Sequence, residues 1–375
     1  MKLMRIVCVS ALISLLWPLS AQAAETAGIK FVAEIKEDPA ANLKLDWAIY
    51  TYVKGAYLFV TSHRDGRINT FKRDVKTGDV KFLNYYDLAS QLNNGGRHLD
   101  TYPVLSDANI VYATGQWTHA QGNGESLGLS WFQFNPADGS LKLLGHIPCD
   151  AGALTESPDK KSLYLSAWWS NAIYQVNLDA QGKPSIGAKV GGKGLGGQAV
   201  CSADGRFLYS MTDQDAGWVE IKKDGTLTYG GSCALAPLNS PGGLRSQALA
   251  LSPDGKHAYA ALWAYNYSGT GLFNRDANSG ALTFAQKLTV DPAMQGINHI
   301  VFLPDGRTGY YSAGPETPGS CLGWFKRDPA SGTLTFGGRA PNSPPPCHFT
   351  YCPDSGALYA AGFWSTKSIW VFNAR

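Results

Sequence analysis

Residues 251–259 read LSPDGKHAY. This segment contains the end of one predicted strand, a Pro-Asp-Gly turn, and the start of a second strand that carries Tyr259. Glycine suits such a turn because it adopts positive φ without strain, and aspartate can bond the neighbouring backbone. Related segments recur through the chain, and a repeated hairpin of this kind predicts a protein built from internal repeats.

The repeated tyrosine gives the period of the chain. Its copies are spaced 55, 52, 45, 50, 51 and 49 residues apart, at Tyr57, Tyr112, Tyr164, Tyr209, Tyr259, Tyr310 and Tyr359. A period of roughly 50 residues is typical of four-stranded blades arranged around an axis. We therefore predict an all-β protein, a seven-bladed β-propeller with four-stranded antiparallel blades.

A second signal follows several copies and marks the third and fourth strands of a blade. Residues 71–74 read FKRD, residues 273–276 read FNRD and residues 325–328 read FKRD, each followed by a short turn that contains glycine. The last copy ends with a third strand at residues 369–372, whereas residues 29–35 form an orphan alternating strand. We predict that this N-terminal strand closes the last blade, which also removes an exposed sheet edge.

The start of the chain has the pattern of an export signal. Lys2 and Arg5 precede an apolar run, and residues 21–23 read AQA, a small-residue cleavage pattern. We predict a signal peptide at residues 1–23, a propeller at residues 24–375, and a periplasmic or secreted location. Two of the 32 basic residues leave with the signal, so the mature charge is 30 − 29, or +1. This balance favours neither nucleic acid nor a membrane as partner.

The mature chain keeps six cysteines, which are Cys149, Cys201, Cys233, Cys321, Cys347 and Cys352. An even number of cysteines in an exported protein fits up to three disulfides, although six cysteines allow 15 pairings. We favour a bridge between Cys321 and Cys347, which lie on the same predicted face around the sixth blade. No Cys-x-x-Cys-His segment is present, so covalent haem attachment is not predicted.

Candidate functional residues gather on one predicted face, which we name the loop face. It carries the loops into the innermost strands and the loops from second to third strands, and such loops on a rigid scaffold often bind ligands. The first group of loops contains Arg97, His98, Arg245, Asn298, His299 and His348. The second group contains His63, Trp117, His119, Trp168, Trp169, Asp213, Asp215, Trp263, Tyr265, Glu316 and Trp364. These tryptophans could stack on the sugar rings of a ligand. Alternatively, they pack against the ends of the blades and have only a structural role.

The residues of the loop face are compatible with a metal site, but their spacing does not predict one. Histidine, aspartate and glutamate converge on the loop face, but no pair has the compact spacing of a metal motif. Ligands drawn from separate blades would not show such spacing. No phosphate loop, dinucleotide fingerprint or Gly-x-Ser-x-Gly elbow occurs in a suitable context. We assign no metal and expect no cofactor.

The two repeated signals resemble those of the seven-bladed lactonase family, which includes propeller-type 6-phosphogluconolactonases and carboxymuconate-cyclising enzymes. Residues 296–306, GINHIVFLPDG, look like the Pro-Arg-His…Pro-Asp-Gly motif of that family. His299 takes the histidine place, and Asn298 stands where arginine is usual. The chain departs from the family at Ala153, where a histidine would be expected, and at residues 198–200, which replace an Arg-His pair, so the resemblance implies a partial catalytic set.

The leading hypothesis is an exported lactonase for a sugar-type or other small lactone, and an unphosphorylated aldonolactone fits the compartment best. His299 would activate water or protonate the ring oxygen, Arg97 or Arg245 would stabilise the oxyanion, and Glu316 or Asp213 would orient the base. The proposed binding residues are His63, His98, His348, Trp117, Trp168, Trp169, Asp213, Trp263 and Trp364.

Two rival hypotheses remain. The first is a non-catalytic propeller that binds a carbohydrate or a protein partner through the tryptophan- and histidine-rich loop face. The second is a redox-associated propeller subunit. We expect a monomer that binds a small molecule in the leading case.

Overall fold

The computed structural model describes residues 28–91, 99–117, 126–235, 238, 245–263, 269–290, 296–313, 321–340, 346–362 and 367–374. These residues form seven four-stranded antiparallel sheets, which confirms the predicted propeller. A short α-helix α1 (Leu88–Gln91) and a 3-10 turn (Pro39–Ala41) are the helical elements of this part of the chain. No helix among the described residues is long and apolar enough to cross a bilayer.

Strand β1 (Lys30–Lys36) comes first in the chain, and the following strands fill the blades in order, from the innermost strand outward. Blade 1 contains β2 (Ala48–Lys54), β3 (Tyr57–Ser62), β4 (Arg67–Arg73) and β5 (Val80–Asp87). Blade 2 contains β6 (Leu99–Leu105), β7 (Ile110–Trp117), β8 (Ser126–Phe134) and β9 (Leu141–Ile147). Blade 3 contains β10 (Leu154–Glu156), β11 (Leu163–Ala167), β12 (Ala172–Leu178) and β13 (Pro184–Gly191).

The second half of the chain continues the same pattern. Blade 4 contains β14 (Val200–Cys201), β15 (Phe207–Met211), β16 (Asp215–Ile221) and β17 (Leu227–Ala234). Blade 5 contains β18 (Arg245–Leu251), β19 (His257–Trp263), β20 (Thr270–Arg275) and β21 (Leu282–Leu288). Blade 6 contains β22 (Ile297–Phe302), β23 (Thr308–Ala313), β24 (Cys321–Arg327) and β25 (Leu334–Arg339). Blade 7 contains β26 (Pro346–Cys352), β27 (Ala357–Gly362) and β28 (Ser368–Asn373).

Blade 7 obtains its outer strand from the other end of the chain. Strand β1 pairs antiparallel with β28, from Lys30 opposite Asn373 to Lys36 opposite Ser368. The predicted closure by the N-terminal strand is therefore confirmed. The pairing satisfies the outer backbone groups of β28 and ties the two ends of the ring together.

The hydrophobic core is divided into layers between the blades. Buried apolar side chains of the described residues form seven clusters, each drawn from two neighbouring blades. Between blades 4 and 5, for example, Tyr209 and Trp218 pack with Leu249, Leu262 and Phe273. Each blade buries its two faces only against its neighbours, so the ring must be complete for the core to be complete.

The two repeated sequence signals meet across the blade boundaries. The hydroxyl of Tyr259 in blade 5 donates to the carbonyl of Gly332, in the turn between the third and fourth strands of blade 6, at 2.8 Å. The same bond joins Tyr209 to Gly280 at 3.0 Å and Tyr359 to Gly78 at 2.7 Å. Each of these three tyrosines therefore ties its blade to the neighbouring blade.

Blade 1 departs from this register. Its first hairpin turns through Gly55 and Ala56 alone, and Tyr57 pairs directly with Lys54. The shorter turn places Phe59, two residues later, at the position that the tyrosine occupies elsewhere. Tyr57 still donates its hydroxyl to blade 2, but to the carbonyl of Pro136 at 3.0 Å. The sequence prediction was thus two residues out of register in this blade.

The arginine of the FKRD segments completes the contact between blades. The side chain of Arg327 in blade 6 is fully buried. Its guanidinium donates to the hydroxyl of Tyr259 at 2.9 Å, to the carbonyl of Gly306 at 2.9 Å and to the carboxylate of Asp254 at 3.0 Å. Tyr259 and Asp254 belong to the first hairpin of blade 5, so this arginine joins that hairpin to the third strand of blade 6.

The cysteines do not form the three disulfides that their number allowed. Cys149, Cys201, Cys233 and Cys352 carry free thiols. Cys201 and Cys233 lie on the innermost and outermost strands of blade 4, which are too far apart for a disulfide. The favoured bridge from Cys321 to Cys347 stays a prediction, because the side chain of Cys347 lies outside those described.

Candidate functional site

One residue of each blade lies at the same level of the inner strands, and we name this set the inner ring. Its members are Tyr50, Tyr102, Ala153, Gln198, Ala248, His299 and His348. In blades 1, 5, 6 and 7 a β-bulge immediately precedes the inner-ring residue. A bulge alters the direction of the following side chain, and bulges of this kind are frequent next to functional sites.

Aromatic rings occupy one half of the inner ring. The centroids of Tyr102 and Tyr50 are 4.7 Å apart in an edge-to-face contact. Tyr50 and His348 are 4.0 Å apart, and His348 and His299 are also 4.0 Å apart, both with tilted rings. Four consecutive blades, in the order 2, 1, 7 and 6, thus contribute a continuous series of ring contacts. The two candidate histidines are brought together by this series.

Two alanines and a glutamine occupy the other half, where Ala153 and Ala248 flank Gln198. The side-chain amide of Gln198 in blade 4 donates to the hydroxyl of Tyr50 in blade 1, at 3.4 Å. This bond crosses the ring between nearly opposite blades. The backbones of Gln198 and Ala248 also form a parallel bridge, which joins blades 4 and 5 at this level.

A cavity of about 240 Å³ lies beside this half of the inner ring. Residues 198–200, 248–251 and 299–302 line it, so its walls are the inner strands of blades 4, 5 and 6. Gln198 and His299 are its uncharged polar side chains, and the rest of the lining is apolar. An apolar cavity of about 150 Å³ already holds benzene. The present cavity can therefore hold one small ring together with a water molecule.

Burial keeps both histidines neutral. Desolvation lowers the pKa of His299 to about 4. Desolvation also lowers the pKa of His348 well below its usual value, and the neighbouring His299 adds to this effect. At neutral pH each imidazole therefore has one nitrogen that can accept a proton or a hydrogen bond.

The hydrogen bonds of the two rings differ. His348 accepts the backbone N–H of Thr51 at its Nδ1, at 3.4 Å, which leaves the ring proton on Nε2. Nδ1 of His299 is buried and has no hydrogen-bond partner among the described residues. His299 thus lacks a described carboxylate or carbonyl that would orient it from that side. A buried ring nitrogen normally has a hydrogen-bond partner, so we expect a water molecule or a ligand at Nδ1 of His299.

Tyr50 also stays in its neutral form. Burial raises the pKa of its hydroxyl to about 12, and the hydrogen bond with Gln198 offsets this only in part. At neutral pH the group is a phenol that can donate a hydrogen bond. Sequence reasoning missed Tyr50 and Tyr102. Aligning the innermost strands of all seven repeats would have placed both at the level of His299.

Several residues predicted for the loop face lie away from the inner ring. His63 is buried, and its ring stacks on Trp47 with centroids 5.1 Å apart. Trp168 packs against Gly152 of its own blade. Trp169 is 56% exposed, and Asp213 is exposed in the loop between β15 and β16. The structure therefore brings His299 and His348 together but leaves these four residues separate from them.

The side chains of the remaining candidate residues lie outside those that the structure describes. Arg97, His98, His119, Tyr265, Glu316 and Trp364 lie outside the described residues, as do the side chains of Arg245, Trp117 and Trp263. The backbone of Arg245 begins β18 and pairs with Trp263 at the end of β19. Because β18 lies next to β22, Arg245 begins the strand adjacent to that of His299.

Charged side chains gather at the opposite end of the inner strands. Lys54 of blade 1 contacts Asp107 of blade 2 at 2.7 Å and Glu156 of blade 3 at 3.4 Å. These contacts tie three blades together at the hairpin-turn end of the channel. Among the described residues no three histidine, cysteine or acidic side chains are grouped so that they could hold a metal ion.

Comparisons with known proteins identify the fold. No family model and no curated relative matches the chain. The periplasmic gluconolactonase of Pseudomonas aeruginosa is 20% identical, with a TM-score of 0.61 over 78% of this chain and 86% of that chain. A "putative 6-phosphogluconolactonase" of Bacteroides fragilis is 20% identical, with a TM-score of 0.62 over 87% and 90% of the two chains.

A chain of the mitotic checkpoint complex is comparably similar. It is 14% identical, with a TM-score of 0.63 over 96% of this chain and all (100%) of that chain. The fold is thus shared by proteins with unrelated functions, as is common for widespread folds. The predicted resemblance to the lactonase propellers is confirmed for the fold, and the protein is a seven-bladed propeller of the architecture that these structures share.

Proposed function

We propose that this protein hydrolyses a small neutral lactone in the cavity beside His299, outside the cytoplasm. The observation that carries the proposal is the neutral imidazole of His299 in the wall of a cavity of about 240 Å³. The cavity has the size of one small ring, and its described lining has no charged side chain. The fold shared with a gluconolactonase of known structure supports the same choice.

The reaction would use His299 as a general base. The imidazole takes a proton from a water molecule while the water oxygen attacks the lactone carbonyl. The tetrahedral intermediate then collapses, the bond to the ring oxygen breaks, and the ring oxygen takes the proton back to give the open hydroxy acid. His299 is unprotonated at neutral pH, so its ring can accept the proton, and the negative charge that develops on the substrate stabilises the imidazolium that burial disfavours.

The developing oxyanion needs hydrogen-bond donors or a positive charge. The amide of Gln198 lines the same cavity and offers N–H groups. Arg245 begins the adjacent strand, and we keep it, with Arg97, as a proposed source of positive charge from the loop face. Glu316 is kept as the proposed carboxylate that orients the base. His98, His348 and the tryptophans 117, 263 and 364 are retained as proposed binding residues on the same face.

The proposed location rests on the first residues of the sequence. The positive start, apolar run and AQA site at residues 21–23 support a cleaved export signal. The gluconolactonase of similar fold is itself described as periplasmic. An exported enzyme meets unphosphorylated sugars, so a plain aldonolactone is the proposed substrate.

A binding role without catalysis is the second candidate. Trp169 is 56% exposed and lies next to Trp168 in the loop between β11 and β12. An exposed indole is well suited to stack on the apolar face of a sugar ring. This observation favours a carbohydrate-binding surface on blade 3, separate from the cavity.

Acid release from a panel of lactones distinguishes the two functions. Protein lacking residues 1–23 is incubated with plain and phosphorylated aldonolactones, with and without prior metal chelation. We expect hydrolysis of the plain lactones well above the spontaneous rate, and no effect of chelation. A folded protein that hydrolyses none of them but binds oligosaccharides through Trp169 would contradict the lactonase proposal.

A further inference from the structure

The ring of Tyr50 is held firmly beside the two candidate histidines. It follows a β-bulge at the start of β2, and its ring lies against His348 and Tyr102, with centroids 4.0 and 4.7 Å away. The side chain keeps part of its surface exposed in the interior of the ring of blades. These contacts fix the direction of the hydroxyl in advance, which is the condition for effective electrostatic catalysis.

The hydroxyl hydrogen of Tyr50 is not used by the described residues. Its oxygen accepts from the amide of Gln198 at 3.4 Å. A phenol can accept and donate at once, and no described residue accepts the hydrogen of this one. A partly buried donor of this kind is expected to serve a ligand or a water molecule.

The position of Gln198 connects this donor to the cavity. Gln198 bonds to Tyr50 and also lines the cavity that contains His299. His299 and Tyr50 stand on opposite sides of His348, which contacts both rings. Gln198 therefore links the cavity wall that contains His299 to the hydroxyl of Tyr50, which is not itself among the described residues that line the cavity.

We infer that Tyr50 is a catalytic residue of this site, whose hydroxyl donates a hydrogen bond to the carbonyl oxygen of the lactone and holds it as negative charge develops. This inference rests on the proposed lactonase function. Water attacks the carbonyl carbon from the side of His299, and the carbonyl oxygen faces Tyr50 and Gln198. The phenol keeps its proton throughout, and the proton taken from water goes to the ring oxygen that leaves. A neutral donor suits a neutral lactone because no charge has to be desolvated before the reaction.

The test compares Tyr50→Phe with a matched variant of the same blade, Tyr57→Phe. Tyr57 also donates its hydroxyl, but to Pro136 at the exposed hairpin-turn end. We expect Tyr50→Phe to lower kcat on a plain aldonolactone by about 100-fold, in the range for a lost oxyanion donor. Its KM should change less than about threefold, because the bond strengthens mainly in the transition state. Tyr57→Phe should keep the wild-type kcat.

Three outcomes separate this inference from the proposed function. If the wild type hydrolyses lactones and Tyr50→Phe keeps full kcat, the inference is overturned and the lactonase proposal stands. If KM rises while kcat is unchanged, Tyr50 only binds substrate, which also overturns the catalytic role. If the wild type hydrolyses no lactone, both fail together. Should Tyr50→Phe melt at a lower temperature, Tyr50→3-fluorotyrosine keeps the ring and makes the donor more acidic, and its kcat must then differ from that of the wild type.

Discussion

Replacing Arg327 with methionine is expected to lower the free energy of unfolding by about 3–5 kcal/mol. The guanidinium is fully buried and bonds Asp254 and Tyr259 of blade 5 and the carbonyl of Gly306. Methionine fills similar space but donates no hydrogen bond. The carboxylate of Asp254 then loses its buried partner, and the hydroxyl of Tyr259 and the carbonyl of Gly306 lose theirs.

Lys326→Met is the matched control for this prediction. Lys326 is the preceding residue of β24, and its side chain is exposed. The same substitution there should change the stability by no more than about 0.5 kcal/mol. Urea unfolding of both variants, followed by tryptophan fluorescence, measures the difference. Equal stability of the two variants would show that the arginine does not hold blades 5 and 6 together.

Acidification is expected to destabilise the protein through His299. Folding lowers the pKa of this imidazole from 6.5 to about 4. The unfolded chain therefore binds a proton that the folded protein does not, so the stabilising contribution is present above pH 6.5 and is lost as the pH falls toward 4. A shift of this size corresponds to about 3 kcal/mol. The depressed pKa of His348 acts in the same direction.

The measurement is the free energy of unfolding at several values between pH 4 and pH 7, for the wild type and for His299→Gln. Glutamine keeps a polar side chain but does not titrate, so the variant should lose less stability on acidification, by about 3 kcal/mol. Carboxylates that titrate near pH 4 contribute equally to both proteins and cancel in the comparison. Identical pH slopes would mean that His299 is solvated in the folded protein.

The fold was predictable because each repeat encodes its own contacts. The Pro-Asp-Gly turns adopt positive φ at Gly255 and Gly306, with values of 67° and 65°, and the Pro-Asp-Ser-Gly turn does so at Gly356, with 68°. The repeat tyrosines and the glycine turns are partners across the blade boundaries, so both recur with the same period. Contacts that recur from repeat to repeat leave a periodic pattern in the sequence, and this pattern predicts the fold. The register error at Tyr57 arose where the turn itself is shorter.

The site was predictable only in part, because it depends on contacts between distant blades. His299 and His348 were identified from their positions in the repeat. The role of His63 could not be predicted, because it depends on stacking against Trp47, which lies in another loop. Tyr50 carries no motif, and only the closed ring brings its hydroxyl to Gln198, 148 positions later in the chain.

The cysteines show the same limit. Their even number was compatible with disulfides, but four of them are free thiols in different parts of the ring. Disulfide formation requires Cα atoms within about 7 Å, and the number of cysteines carries no information on distance. The number of cysteines therefore indicated how many disulfides were possible, whereas the positions of the cysteines in the fold determine which disulfides can form.

The most direct test of the central claim is the kcat/KM of His299→Gln for a plain aldonolactone, measured beside His146→Gln. His146 is a partly buried histidine on the outer strand β9, where Nδ1 contacts the hydroxyl of Ser130 at 3.0 Å. We predict a loss of at least about 100-fold for His299→Gln, the effect of removing a general base, and wild-type activity for His146→Gln. Wild-type kcat/KM in a folded His299→Gln variant would contradict the assignment of this cavity as the lactone site.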